Sequence, residues 1–214
     1  MVIVLQLLMS RIVIAILLTT TAFAQSNRVV WQPPTLELPD KLPHPSVSKE
    51  MITKLWVAKT QIILEKTPIN EIQKNLGGTI GSRGDASEAL QWLCFHGSDA
   101  KGQWALWLES SEMGGGNVDG FAWQRIAEKA VLDRRCHKQA VDIELPIQIA
   151  MGLTESEVRK NLGTPTAKHL NTLIYDHEHQ ETVRDEHFTA SNTVYVELRG
   201  GVVSAVQVWK TTSN

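Results

Sequence analysis

The sequence predicts an α+β protein built from two tandem repeats that share one continuous sheet. Residues 154–162 have the pattern of a short capped helix, and a near-copy of this helix stands 86 positions earlier. The segments 71–77 and 157–163 agree at five of seven positions. Strand and hairpin patterns follow each copy in the same order, as expected for helices layered on an antiparallel sheet. A period this long exceeds that of solenoid repeats and indicates a duplicated small domain.

Residues 1–24 have the pattern of a secretory signal peptide. Arg11 precedes an apolar run at 12–18, and small residues end in an A-x-A cleavage site at Ala24. Cleavage there predicts a periplasmic or secreted protein. The run is too short to favour a membrane-spanning helix, although an uncleaved anchor stays an alternative. No cysteine stands directly after the run, so we expect no lipid anchor.

Composition narrows the classes of partner. The formal net charge of −2 argues against a nucleic-acid partner, which would require a basic surface. The sequence has no polybasic patch that would indicate binding to a membrane surface. The composition does not decide whether the protein contacts a membrane. Because an exported chain with two cysteines favours one disulfide, we expect Cys94–Cys136 rather than two free buried thiols.

Four segments follow from the patterns along the chain: a signal peptide at 1–24, a proline-rich extended arm at 25–48, a first repeat with its connector at 49–139, and a second repeat at 140–214. From residue 49, apolar residues at helical spacing predict about four turns of helix. These residues are Met51, Leu55, Trp56, Ile62 and Ile63.

The two repeat helices carry their own start and stop signals. Pro68 stands at a favoured early position of the first, at 68–77. In the second, Thr154 is a predicted N-cap and Glu157 completes a capping box. Gly163 and Pro165 end the helix. Leu76 and Leu162 occupy equivalent positions, and we expect both to pack beneath the sheet.

Alternating patterns predict three strands after each helix. In the first repeat the strands are 90–95, 104–109 and 118–126, with a Gly-rich hairpin at 114–117 and a connector at 127–139 that is either helical or irregular. In the second repeat they are 173–179, 193–198 and 202–209, with a polar segment at 180–189 and a tight turn at 200–201. One face of the sheet should be covered by the helices and the other left open.

Several of these features are shared with a known family. They are Gly152-Leu153-Thr154, Val158, Leu162-Gly163-Thr164-Pro165, an aromatic strand at Tyr175 and a Gly-turn hairpin at 200–203. Through them, residues 146–209 resemble the SmpA/BamE outer-membrane lipoprotein domain, and residues 50–126 do so more weakly. Tandem copies of such a unit resemble the beta-lactamase inhibitor protein. The resemblance implies a helical pair on one face of a small antiparallel sheet in each unit, with the sheets joined into one curved sheet.

Two polar clusters could bind a metal ion or act in catalysis. His177 and His179 would share a strand face and could bind a divalent ion, with Asp176, Glu178, Asp185, Glu186 and His187 nearby. The alternative is a polar strand end, and because the spacing fixes no third ligand we expect no metal. Glu109, Glu112 and Asp119 could supply paired carboxylates across the hairpin, but solvated hairpin residues are the favoured interpretation. We therefore expect no catalytic residue and no cofactor.

The open face of the sheet is the candidate binding face. It would carry Trp107, Tyr195, Glu197, Gln207 and Trp209. Tyrosine and tryptophan are enriched at binding hot spots. The alternative is that the N-terminal arm or the other half of the chain covers them.

These patterns predict an exported, non-enzymatic binding or scaffolding protein with a protein partner, with a role in the cell envelope or outer-membrane assembly. One alternative is a protein inhibitor of a secreted enzyme. The other is a small metal-dependent hydrolase that uses His177 and His179.

Overall fold

A computed structural model describes residues 29–35, 39, 43–45, 47, 51–139, 143–183 and 185–213. The signal peptide predicted at 1–24 lies outside these residues, as does much of the arm. The described chain has two α-helices, Ile69–Leu76 (α1) and Glu155–Leu162 (α2), and a 3₁₀ turn at Ala86–Glu88. Its strands are β1 (Val29–Val30), β2 (Lys54–Val57), β3 (Thr60–Ile63), β4 (Ile80–Arg83), β5 (Leu90–Asp99), β6 (Gly102–Ser111), β7 (Gly120–Arg125), β8 (Val131–Leu132), β9 (His137–Lys138), β10 (Ile143–Glu144), β11 (Ala167–His169), β12 (Thr172–Val183), β13 (Glu186–Arg199) and β14 (Val202–Ser213).

One nine-stranded sheet dominates the described chain. Its order is β11-β12-β13-β14-β7-β6-β5-β4, and β9 pairs with β5 beyond the end of β4. All neighbours are antiparallel except β5 and β9. The strands after α1 and the strands after α2 therefore meet at β7 and β14. A three-stranded sheet of β10, β2 and β3 and a parallel pair of β1 and β8 complete the fold.

The large sheet separates two hydrophobic cores. Along β6, Trp104, Leu106 and Leu108 belong to the larger core, whereas Ala105 and Trp107 belong to the smaller one. Since successive side chains of a strand point to opposite faces, the cores lie on opposite sides of the sheet. The larger core is closed by α1, α2 and the three-stranded sheet. We call the opposite side, which the N-terminal segment 29–35 crosses, the arm-side face.

The predicted α+β class, two tandem repeats with a helical pair on each small sheet, is wrong. The described chain is predominantly β, with two eight-residue helices against one nine-stranded antiparallel sheet. The resemblance to the SmpA/BamE domain and to the beta-lactamase inhibitor protein is contradicted by the same finding, because it required helical pairs.

The helix predicted from residue 49 is instead a β-hairpin. Strands β2 and β3 are joined by a turn at Ala58 and Lys59, and Ala58 has a φ of 56°. Leu55 and Val57 are buried while their neighbours are partly exposed, which is the two-residue period of a strand. The apolar residues of this segment fit both a helical and a strand pattern, and pairing with β10 selects the strand.

Several local predictions are confirmed. Both repeat helices form, and Thr154 and Glu157 make the predicted capping box: Thr154 N donates to Glu157 Oε2 at 2.8 Å and Glu157 N donates to Thr154 Oγ1 at 3.4 Å. The Cys94–Cys136 disulfide is present, with the Cα atoms 4.5 Å apart. The segment boundaries at 49–139 and 140–214 stay predictions. The polar segment at 180–189 is largely strand, because β12 and β13 pair through it.

Candidate functional site

The arm-side face combines small residues with large aromatic ones. Gly120 and Ala122 on β7 pair with Trp209 and Gln207 on β14. A Cβ atom on Gly81 would stand 2.4 Å from the Trp92 ring, so that the indole lies close against the backbone. The small residues therefore allow the aromatic rings to lie across the sheet.

The N-terminal segment covers one part of this face. The rings of Trp31 and Trp92 pack edge to face with centroids 5.6 Å apart. Trp107 Nε1 donates a hydrogen bond to the Trp31 carbonyl oxygen at 3.0 Å. The Arg135 guanidinium lies 4.4 Å from the centre of the Trp31 ring, a cation–π contact from the segment next to the disulfide. These contacts hold the segment on the sheet.

A cavity of about 260 Å³, which we call the arm-side cavity, opens beside this covered part. It is lined by Pro34, Thr35, Arg83, Leu90, Glu109, Tyr195, Gln207 and Trp209. The lining comes from six separate parts of the chain: the arm, β4, the start of β5, the end of β6, β13 and β14. Aromatic walls and a few polar groups are the usual composition of a binding cavity.

Glu109 is the least usual group in the cavity. Its side chain is only 1% exposed, and its Oε1 atom has no hydrogen-bond partner in the described chain. Burial raises the pKa of Glu109 to about 8, the nearby Arg83 charge opposes this shift, and the Asp119 charge adds to it. Trp92 lies directly across the strand pair, and its Nε1 also lacks a partner in the described part of the chain. Glu109 is therefore largely protonated at neutral pH and has unused hydrogen-bonding capacity.

Three of the five residues predicted for the binding face line this cavity, namely Tyr195, Gln207 and Trp209. Burial raises the pKa of the Tyr195 phenol, so it is a neutral hydrogen-bonding group. Trp107 lies beneath the arm, as the alternative interpretation expected. Glu197 lies outside the cavity lining, where it forms an ion pair with Arg199 at 3.4 Å.

The three candidate carboxylates lie in different surroundings. Glu112 is solvated on the hairpin, as expected, but the same expectation is wrong for Glu109 and Asp119, which are both buried. Asp119 accepts hydrogen bonds from Ser111 N at 3.0 Å and from Ser111 Oγ. Burial raises its pKa, while the bonds from Ser111 oppose that shift. Asp119 thus has a structural role in closing the hairpin.

The histidine cluster forms a chain of hydrogen bonds. His177 Nδ1 lies 2.7 Å from the Val47 carbonyl oxygen, and His177 Nε2 lies 3.2 Å from His179 Nδ1. His179 Nε2 lies 2.8 Å from Glu181 Oε1. In the described part of the chain, no group of three or more His, Cys, Asp or Glu residues could hold a metal ion. The hydrolase alternative therefore gains no support from this cluster.

Sequence reasoning missed Arg83, Pro34, Thr35 and the burial of Glu109. The β6 alternation did place Glu109 on the face of Trp107, and this was the available signal. The disulfide is consistent with an oxidising compartment. Within the described ranges, no helix is long and apolar enough to cross a membrane. No protein-family model, no curated protein and no solved structure matches this chain.

Proposed function

We propose that the protein is an exported, non-enzymatic binding protein of the periplasm or cell exterior, and that its arm-side cavity docks a protein partner. The supporting observation is that Tyr195 and Trp209 meet at one opening beside the buried Glu109. Tyrosine and tryptophan are enriched among the few desolvated residues that carry most of the binding energy at protein interfaces.

The cavity offers groups for recognition rather than for bond breaking. Tyr195, Gln207 and Glu109 supply hydrogen-bond donors and acceptors, and Trp209 supplies a flat apolar wall. The described lining contains no histidine that could act as a base for the Thr35 hydroxyl, and no cysteine that could act as a nucleophile. Binding is therefore the activity that this lining supports best.

Photo-crosslinking tests the proposal in cells that export the full chain. A benzophenone amino acid replaces Thr35, which is exposed and lines the cavity. The matched control carries it at Lys160, which is exposed on α2 against the other face of the sheet. We expect a discrete crosslinked protein from position 35 and not from position 160.

The partner band should disappear in a Trp209→Ala variant that still forms its disulfide. Equal crosslinking from both positions, or no partner from position 35, would contradict the proposed function. The identity of the captured protein would separate a scaffold from an inhibitor, because an inhibitor would capture an enzyme.

A further inference from the structure

We propose that the arm-side cavity receives a basic side chain of the partner, the ammonium of a lysine or the guanidinium of an arginine, with Glu109 as its counter-ion. This inference rests on the proposed function, since it names the chemistry of the group that docks.

The first support is the unused capacity of Glu109. A buried carboxyl without partners is costly, and such groups are normally paired. Glu109 lines the cavity, and its buried Oε1 has no hydrogen-bond partner in the described chain. Arg83 acts on Glu109 through its charge, without a hydrogen bond between the two side chains. A cation that enters the cavity would supply the missing partner of the Glu109 carboxyl.

The second support is the aromatic wall. Trp209 and Tyr195 line the same cavity as Glu109. An ammonium or guanidinium is attracted to the face of such rings, most strongly when it is desolvated. The Gln207 side chain offers a carbonyl oxygen that can accept from the same cation. A carboxylate, aromatic faces and an amide oxygen together favour a cation over an anionic ligand.

Arg83 is the competing charge. It is exposed, lines the cavity and lowers the pKa of Glu109 without pairing with it. An incoming cation must therefore bind against this charge. Replacing Arg83 by alanine should tighten cation binding, whereas it would abolish binding of a carboxylate or phosphate ligand.

Cation binding is coupled to a proton. The neutral Glu109 carboxyl loses its proton to the buffer as the carboxylate pairs with the cation, so the total charge is conserved. Because burial raises the pKa of Glu109 to about 8, affinity should rise with pH up to that value. Well below it, each pH unit should change the affinity by roughly 10-fold.

The test titrates the full, disulfide-bonded protein with Nα-acetyl-lysine methylamide and follows tryptophan fluorescence. The matched neutral probe is the same compound acetylated on Nε. We expect saturable binding of the charged probe only, at least about 10-fold weaker at pH 6 than at pH 8. Glu109→Gln should weaken binding by at least about 10-fold, and Glu112→Gln should leave it unchanged.

Equal binding of both probes, or unchanged binding in Glu109→Gln, would overturn the inference. So would binding of free 1,5-diaminopentane without binding of the lysine probe, since the site would then take a small amine. If Glu109→Gln does not fold, titration of the unmodified protein with both probes at pH 6 and pH 8 still tests the inference. A partner captured at position 35 without charge-selective probe binding would overturn only this inference. Charge-selective probe binding with no partner captured at position 35 would overturn the proposed function.

Discussion

Trp209 lies directly across the β7–β14 pair from Gly120, and its indole ring occupies the space that a Cβ atom on residue 120 would need. Such an atom would stand 2.5 Å from Trp209 Cε3. The absence of a side chain at Gly120 thus sets the position of one wall of the cavity.

Gly120→Ala should displace the Trp209 ring and destabilise the protein by about 1–3 kcal/mol, the usual cost of inserting a methyl group into a packed site. Urea denaturation gives the stability and tryptophan emission reports the ring. The control is the same change in a Trp209→Ala background, where the clash is gone and the cost should fall. An equal cost in both backgrounds would refute the steric explanation.

The buried Glu109 should make the protein less stable as pH rises. Its pKa in the folded state is about 8 against an ordinary value of 4.5, so the folded state binds more protons than the unfolded state between these values. The free energy of unfolding should therefore fall across this window, by an amount on the order of a few kcal/mol. Asp119, whose pKa is also raised, contributes in the same direction.

Urea denaturation at pH 5, 7 and 9 measures this slope. The free energy of unfolding should depend less on pH in Glu109→Gln than in the unmodified protein. The Glu112→Gln variant, changed at an exposed residue, should keep the pH dependence of the unmodified protein. A stability that changes between pH 5 and pH 9 by the same amount in all three proteins would exclude a role for Glu109.

Replacing both cysteines by serine should cost about 2–4 kcal/mol, because the Cys94–Cys136 bond closes a long loop. It should also loosen the N-terminal segment, since Arg135 beside the disulfide holds Trp31. Limited proteolysis would then cut near residue 31 faster than in the oxidised protein. A reductant should reproduce both effects in the unmodified protein and change nothing in the double variant.

Leu162→Ala should destabilise the protein more than Leu76→Ala. Leu162 is 7% exposed, whereas Leu76 is only partly buried at the edge of the same core. We expect about 2–5 kcal/mol for Leu162 and less for Leu76, because less apolar surface leaves the core. Denaturant unfolding of the two single variants checks this, and equal costs would restore the equivalence that the repeated sequence suggested.

Part of the candidate site could be predicted from alternation alone. Tyr195 alternates with the core residues Val194 and Val196, which places it on the face opposite the helices. Trp209 follows the same rule after Val208. Alternation is a property of neighbouring residues in one strand, so it needs no knowledge of which strand lies beside it.

The burial of Glu109 could not be predicted in this way. A glutamate followed by serines before a glycine-rich turn has the composition of a solvated hairpin. Glu109 lines the same cavity as Trp209, 100 positions later, and as Pro34 and Thr35, more than 70 positions earlier. These residues come together only once β7 pairs with β14 and the arm crosses the sheet.

Asn192 shows the same dependence on distant contacts. It is completely buried, and its Oδ1 accepts from Met51 N at 2.9 Å while its Nδ2 donates to the Ile52 carbonyl at 3.1 Å. It thereby joins the large sheet to the segment that enters the β2–β3 hairpin. Nothing near position 192 in the sequence indicates this role.

By itself, the sequence determined the ends of α1 and α2, the two faces of β6 and β14, and the single possible disulfide. These features follow from contacts within a few residues, or from a count of two cysteines. Only the tertiary structure decided that residues 54–63 form a hairpin, that β7 pairs with β14, and that Glu109 is buried in the cavity that Trp209 lines. The physical reason is that strand pairing and burial depend on partners far away in the chain, whose register local patterns do not encode.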